Sequence, residues 1–114
     1  MSVLLGLGDG TFATQQVFTA GDARSVTTGD FNGDGITDLA TANQGSDDVS
    51  VLLGLGDGTF ATQQVFTAGV GLTSVTTGDF NGDGITDLAT ANIYSDDVSV
   101  LLGLGDGILS LIHI

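Results

Sequence analysis

The chain alternates short β-rich runs with turns built from Gly, Asp and Asn. Residues 25–28 (Ser-Val-Thr-Thr) and 39–42 (Leu-Ala-Thr-Ala) carry no apolar residues at helical spacing and consist of β-formers or small residues. Four strand-like pieces can be laid out in order. Residues 25–29 lead into an oxygen-rich loop, and residues 38–42 lead out of it. Residues 48–53 (Asp-Val-Ser-Val-Leu-Leu) form a third run with an apolar second half. A turn at Gly56-Asp57-Gly58 follows, where glycine permits positive φ. The fourth piece is 60–67, with Gln63 and Gln64 giving it an edge-like character.

The same order then returns. Residues 2–21 reappear unchanged as 50–69, residues 25–43 as 74–92, and residues 46–58 as 95–107. Four strands in a period of roughly 40–50 residues predict a blade of a β-propeller. Register divides the chain into four parts: 1–21 as the last two strands of a preceding blade, 22–69 as a complete blade, 70–107 as the first three strands of the next, and 108–114 as a tail. The expected fold class is all-β: about two blades' worth of a partial propeller, an open fragment of a longer array with further blades in its parent chain. Ala40, Ala42, Ala89 and Ala91 are small enough for inner strands to approach a crowded centre. Phe31, Phe60 and Phe66, with the Leu and Val of the third strand, are expected to fill the space between blades.

The candidate chemistry lies in residues 30–39, Asp-Phe-Asn-Gly-Asp-Gly-Ile-Thr-Asp-Leu, which recur as 79–88. Oxygen side chains occupy the first, third, fifth and ninth places: Asp30, Asn32, Asp34 and Asp38, then Asp79, Asn81, Asp83 and Asp87. Calcium takes about six to eight oxygens at roughly 2.3–2.6 Å, and a tight loop can supply most of them. The seventh residue, Ile36 or Ile85, can add its carbonyl. Gly35 and Gly84 stand sixth, where the loop must turn sharply. Three carboxylates so close repel one another without a counter-ion. A plain polar turn would explain Gly-Asp-Gly, but not four oxygen donors at coordination spacing, twice. An EF-hand loop starts alike but has an acidic twelfth residue between helices; here the twelfth residues are Thr41 and Thr90 and the flanks read as strands. Two Ca2+ sites are expected, each in a hairpin.

These residues, followed by Val-Ser-Val-Leu-Leu-Gly-Leu-Gly-Asp-Gly-Thr-Phe, resemble the FG-GAP or VCBS repeat and the calcium-bearing blades of integrin α-subunit propellers. The resemblance covers nearly everything up to Gly107. It implies metal ligands Asp30, Asn32, Asp34, Ile36 (carbonyl) and Asp38, with the matching set Asp79, Asn81, Asp83, Ile85 and Asp87. The family usually closes a ring of about seven blades, from which this chain departs.

Composition narrows the function. The formal charge is −13, and Arg24 is the one residue in the Lys-plus-Arg count. Nucleic acid and anionic membranes, which attract clustered Lys and Arg, are therefore not expected partners. No segment is long and apolar enough to span a bilayer, so no membrane insertion is expected. The absence of Cys excludes disulfides and thiolate metal sites. Weak calcium sites work at extracellular ion levels, which predicts an extracellular or cell-surface setting with the export signal outside this segment. No Lys or Cys is present, Asp47-Asp48 and Asp96-Asp97 repeat with the scaffold, and Asp9, Asp57 and Asp106 read as turn residues, so no enzyme activity is expected.

The copies differ in two places, both expected on the face opposite the calcium loops. Gln44-Gly45 becomes Ile93-Tyr94, and Asp22-Ala23-Arg24 becomes Val70-Gly71-Leu72-Thr73. Tyr94 and Arg24 belong to types enriched at binding hot spots. The expected role is adhesion or recognition of a protein or glycan ligand; the alternatives are a non-catalytic scaffold attached to an extracellular enzyme, or a structural spacer. After Gly107 the repeat predicts Thr-Phe-Ala-Thr, but the chain reads Ile-Leu-Ser-Leu-Ile-His-Ile. Leu-Ser-Leu-Ile-His-Ile resembles a translated transposon-end adapter, so 108–114 is expected to be non-native and His113 to carry no role.

Overall fold

In the computed structural model, the hairpin prediction is realised as a series of antiparallel strands. The structure describes residues 1–17, 22–94 and 96–113, without the side chains of Ile112 and His113. The end of the expected 1–21 segment and the side chain of His113 therefore lie outside the described residues. Among the described residues there is no helix, and thus none long and apolar enough to cross a membrane.

Among the described residues three antiparallel sheets form, none of them closed. Strands β1 (Ser2–Val3) and β2 (Gln16–Val17) pair as a two-stranded piece. The first full blade is a four-stranded meander of β3 (Ala23–Gly29), β4 (Asp38–Asn43), β5 (Asp48–Leu52) and β6 (Gln64–Thr67). The second is β7 (Leu72–Gly78), β8 (Asp87–Asn92), β9 (Asp97–Gly103) and β10 (Leu109–His113). This is an open, partial propeller arrangement. Strand β10, which falls within residues 108–114, pairs with β9 from Leu109↔Gly103 to His113↔Ser99 and takes the fourth-strand place. Leu109 is buried and Leu111 packs against the core, so alternate residues of this run face inward as a strand requires.

The register repeats between blades. Ala40 lies opposite Val51 and Ala42 opposite Val49, as Ala89 lies opposite Val100 and Ala91 opposite Val98. A period of two therefore gives each blade two different faces. On the first blade, Ala40, Ala42, Val49 and Val51 are fully buried and join a cluster with Phe31, Leu72, Val75, Leu88 and Leu101. That cluster is the core, and it is the seam between blades. Small Ala side chains let β4 come close to β7, and Ser25 Oγ accepts from the Val75 N–H at 3.4 Å across the same seam. Of the aromatics expected there, Phe31 is buried and Phe66 is partly buried against the cluster.

Each blade also holds a buried polar ladder. Thr41 donates to Asn43 Oδ1 at 2.9 Å, and the Asn43 amide donates to Asp48 Oδ1 at 2.9 Å and Ser50 Oγ at 2.8 Å. Thr90, Asn92, Asp97 and Ser99 repeat it. Buried polar groups must be paired in this way, because an unpaired one forfeits its bonds to water.

Candidate metal centre

Residues 30–37 join β3 to β4, and residues 79–86 join β7 to β8. Both loops therefore lie inside hairpins, as their flanks imply. The loop is folded around its first aspartate. Asp30 Oδ1 accepts from the N–H groups of Gly33 (2.9 Å) and Asp34 (3.2 Å), and Oδ2 accepts from Gly35 at 2.8 Å. Asp79 does the same with Gly82, Asp83 and Gly84 at 2.9, 3.2 and 2.8 Å. Turning those N–H groups inward demands left-handed backbone, supplied by Gly35 at φ 78° and Gly84 at φ 81°. These bonds favour the ionised form, so the Asp30 and Asp79 carboxyls sit below the usual aspartate range. The Gly35 or Gly84 N–H is the largest cause, and the two further N–H groups add to it.

The fifth-place aspartates are fixed more lightly. Asp34 accepts from the Ile36 N–H at 2.9 Å and from the Asn32 amide at 3.2 Å; Asp83 accepts from Ile85 at 3.0 Å and Asn81 at 3.2 Å. The ninth-place aspartates are the anchors. Asp38 is fully buried; its Oδ2 accepts from the Phe31 N–H and its Oδ1 from the Gly54 N–H, each at 2.8 Å. Asp87 repeats this with Phe80 at 2.9 Å and Gly103 at 2.8 Å. One carboxylate therefore ties the start of the loop to the far end of the third strand.

Asp79, Asp83 and Asp87 bring one carboxylate oxygen each to within 4.8 Å of one another, an arrangement that can hold a metal ion. Among the described residues this is the trio so gathered. Asp30, Asp34 and Asp38 share the hydrogen-bond frame but do not form such a cluster. The donor set fits a hard divalent cation, since every candidate is an oxygen. A carboxylate has about four acceptor sites, and each of the three retains some beyond its bonds to N–H. Asn81 and Ile85 lie in the same loop, so the predicted donors share one hairpin.

The link from Asp38 to Gly54 is not among the contacts that the loop motif implies. A Cβ at Gly54 would fall on the Thr37 carbonyl oxygen, and one at Gly103 on that of Thr86. No local period marks this link, because Gly54 and Gly103 stand sixteen residues after the aspartates they serve, at or just beyond the end of the blade's third strand. The remaining predicted turn residues act as turns. Asp57 Oδ1 caps Thr59 through its N–H at 2.9 Å and its hydroxyl at 2.5 Å, and Asp9 does the same for Thr11. Asp106 accepts from the Ile108 N–H at 3.0 Å. Asp47 and Asp96 adopt positive φ, and Asp47 Oδ1 accepts from the Gly71 N–H at 3.0 Å, joining the two blades.

The segments that vary between copies are neighbours in space. The Gln44 N–H donates to the Asp22 carbonyl at 3.2 Å, while Ile93 and Tyr94 donate to the Gly71 and Val70 carbonyls at 3.1 and 3.3 Å. Each pair lies at the end of its blade away from the oxygen-rich loop, where β3 or β7 begins. Arg24 stands 3.8 Å from Asp22, both exposed, and Tyr94 is 72% exposed.

Antiparallel four-stranded meanders, each opened by an Asp-rich hairpin and packed face to face, define a repeat protein of the propeller-blade class. The chain belongs to the FG-GAP-like repeat family, whose model matches residues 1–41 and 30–90. Repeats of this family often bind calcium, are generally non-catalytic, and occur typically in extracellular or surface proteins. No curated protein and no solved structure matches the chain.

Proposed function

We propose that this chain is a calcium-stabilised propeller segment of a secreted or cell-surface protein that acts in adhesion or in protein or glycan binding. The observation that carries the proposal is the convergence of Asp79, Asp83 and Asp87 in a hairpin whose buried member also holds the next turn. Asp79, Asn81, Asp83, Ile85 (carbonyl) and Asp87 would hold one ion; Asp30, Asn32, Asp34, Ile36 (carbonyl) and Asp38 would hold the second. A bound dication screens carboxylates that otherwise repel. In a chain of net charge −13, it also relieves self-repulsion that opposes compaction. The metal thus acts on stability. Recognition belongs to the opposite loops, where Arg24 and Tyr94 stand on the paired variable segments.

Calcium titration monitored by thermal melting tests the reading. At a calcium concentration a hundredfold above Kd, one site adds about 2.7 kcal/mol. For a domain of this size that is on the order of ten degrees in Tm. Chelator should reverse the rise, and Asp83→Ala should abolish the part due to the second loop. An unchanged Tm at millimolar calcium rejects the metal assignment.

A further inference from the structure

The asparagines of the chain fall into two pairs, Asn43 with Asn92 and Asn32 with Asn81. Asn43 and Asn92 are 1% and 2% exposed, and each amide donates to an aspartate and a serine of the buried ladder. Gln44 and Ile93 follow them. Asn32 and Asn81 stand instead in the oxygen-rich loops, reach solvent, and are each followed by glycine. Gly33 and Gly82 adopt φ 74°, left-handed backbone that glycine enters freely, and neither carries a Cβ to shield its nitrogen.

The side chains of this second pair fold forward along the chain. The Asn32 amide donates to Asp34 Oδ2 at 3.2 Å, and its Oδ1 accepts from the Asp34 N–H at 3.4 Å. The Asn81 amide donates to Asp83 Oδ2 at 3.2 Å. Each carboxamide therefore spans the glycine that follows it, which brings Cγ to the side of the glycine nitrogen. One contact restrains that nitrogen: Gly33 N–H donates to Asp30 Oδ1, and Gly82 N–H to Asp79 Oδ1, both at 2.9 Å.

We propose that Asn32 and Asn81 are self-modification sites, each cyclising with its following glycine unless calcium holds the loop. Asparagine is a thermolabile residue. The glycine nitrogen bonds to Cγ, the Cγ–Nδ2 bond breaks, and ammonia leaves with the proton that the glycine nitrogen gives up. Water then opens the cyclic imide at either carbonyl, leaving aspartate or its β-linked isomer. Water is consumed and ammonia released, with no oxidant or reductant.

The role of calcium rests on the metal reading proposed above. Asp30, Asn32 and Asp34 are there ligands of one ion, so freeing Gly33 from Asp30 means giving up bonds to the ion as well. The β-linked product adds a methylene to the main chain between residues 32 and 33. The Gly33, Asp34 and Gly35 N–H groups gathered by Asp30 lie beyond that insertion and lose their register. The Asp38 bonds to Phe31 and Gly54 lie outside it, so the blade persists while its oxygen-rich loop is disabled. A loop that has lost calcium is thereby marked irreversibly.

The full chain, aged near neutral pH in heavy-oxygen water with saturating calcium or with chelator, tests this by peptide mass spectrometry. Heavy oxygen should enter at residues 32 and 81 and not at Asn43 or Asn92. Uptake should be about tenfold faster in chelator, the rate equivalent of releasing a charge-assisted hydrogen bond. Asp30→Ala should bring residue 32 in calcium to its chelator rate and leave residue 81 slow. Protein aged in chelator should keep its circular dichroism but lose most of its calcium-dependent rise in Tm. Melting of fresh protein separates this proposal from the metal assignment. Calcium that raises Tm yet leaves uptake unchanged overturns the proposal alone; calcium that changes neither overturns both. No uptake at residues 32 and 81 in chelator, or equal uptake at all the asparagines, also overturns it.

Discussion

Asp38 Oδ1 accepts a hydrogen bond from the Gly54 N–H at 2.8 Å, joining residues sixteen apart in the chain. Its other oxygen holds the Phe31 N–H, so one buried carboxylate fixes both the oxygen-rich loop and the exit of the third strand. The same bonds recur from Asp87 to Gly103 and Phe80. The ninth loop residue is thus structural even before any cation is considered.

Asp38→Ala should therefore destabilise the protein with or without calcium. The substitution strands two N–H groups, and each buried unsatisfied group costs about 1–3 kcal/mol. Asp34→Ala, at an exposed site, should matter mainly when calcium is present. Urea melts of both variants, with calcium and with chelator, distinguish anchor from ligand. Equal losses for both in chelator would contradict the distinction.

Acid should unfold the chelated protein through Asp30 and Asp79. Their folded carboxyls lie below the ordinary value, so the native state binds fewer protons than the unfolded chain as pH falls through that region. The stability they contribute is complete above the unfolded value of about 3.9 and is lost as pH drops from there through the folded values. Asp30→Asn should flatten that part of the profile, measured as Tm against pH. A slope unchanged by the substitution would remove Asp30 from the account.

Gly54→Ala should fail for want of space. Gly54 has no positive φ, but an added Cβ would meet the Thr37 carbonyl oxygen, a backbone atom that cannot swing aside. Overpacking of this kind costs about 1–3 kcal/mol or more. Gly35→Ala meets nothing within 4 Å and should show only the strain of its left-handed backbone, on the order of 1–2 kcal/mol. Denaturant midpoints of the two variants compare the effects; a milder loss at Gly54 would contradict the crowding.

Phe31 and Phe80 provide the sharpest pair. Both follow the first loop aspartate, but Phe31 is 1% exposed and Phe80 51%. Phe31→Ala should cost about 3–5 kcal/mol, as for a buried aromatic. Phe80→Ala should cost a small fraction of that in dilute solution. Chemical denaturation measures both, and equal costs would place Phe80 in the core as well.

The repeat, the hairpin at each oxygen-rich loop, the strand order within a blade and the donor spacing were all legible in the sequence. Each depends on residues close along the chain, where periodicity and turn chemistry leave a local mark. The anchor from Asp38 to Gly54, the Asn43 ladder and the pairing of the variable segments became visible only in three dimensions. They join residues from separate segments of a blade, and no local period records such contacts. Strand β10 depends on the same cause: the apolar alternation of Leu109 and Leu111 acquires meaning only beside β9. Burial itself was the tertiary structure's decision. Val49 and Val98 occupy the same local sequence, yet one is sealed and the other is 45% exposed. Residue type sets how strongly a side chain avoids water, and the neighbouring blade determines whether water is there.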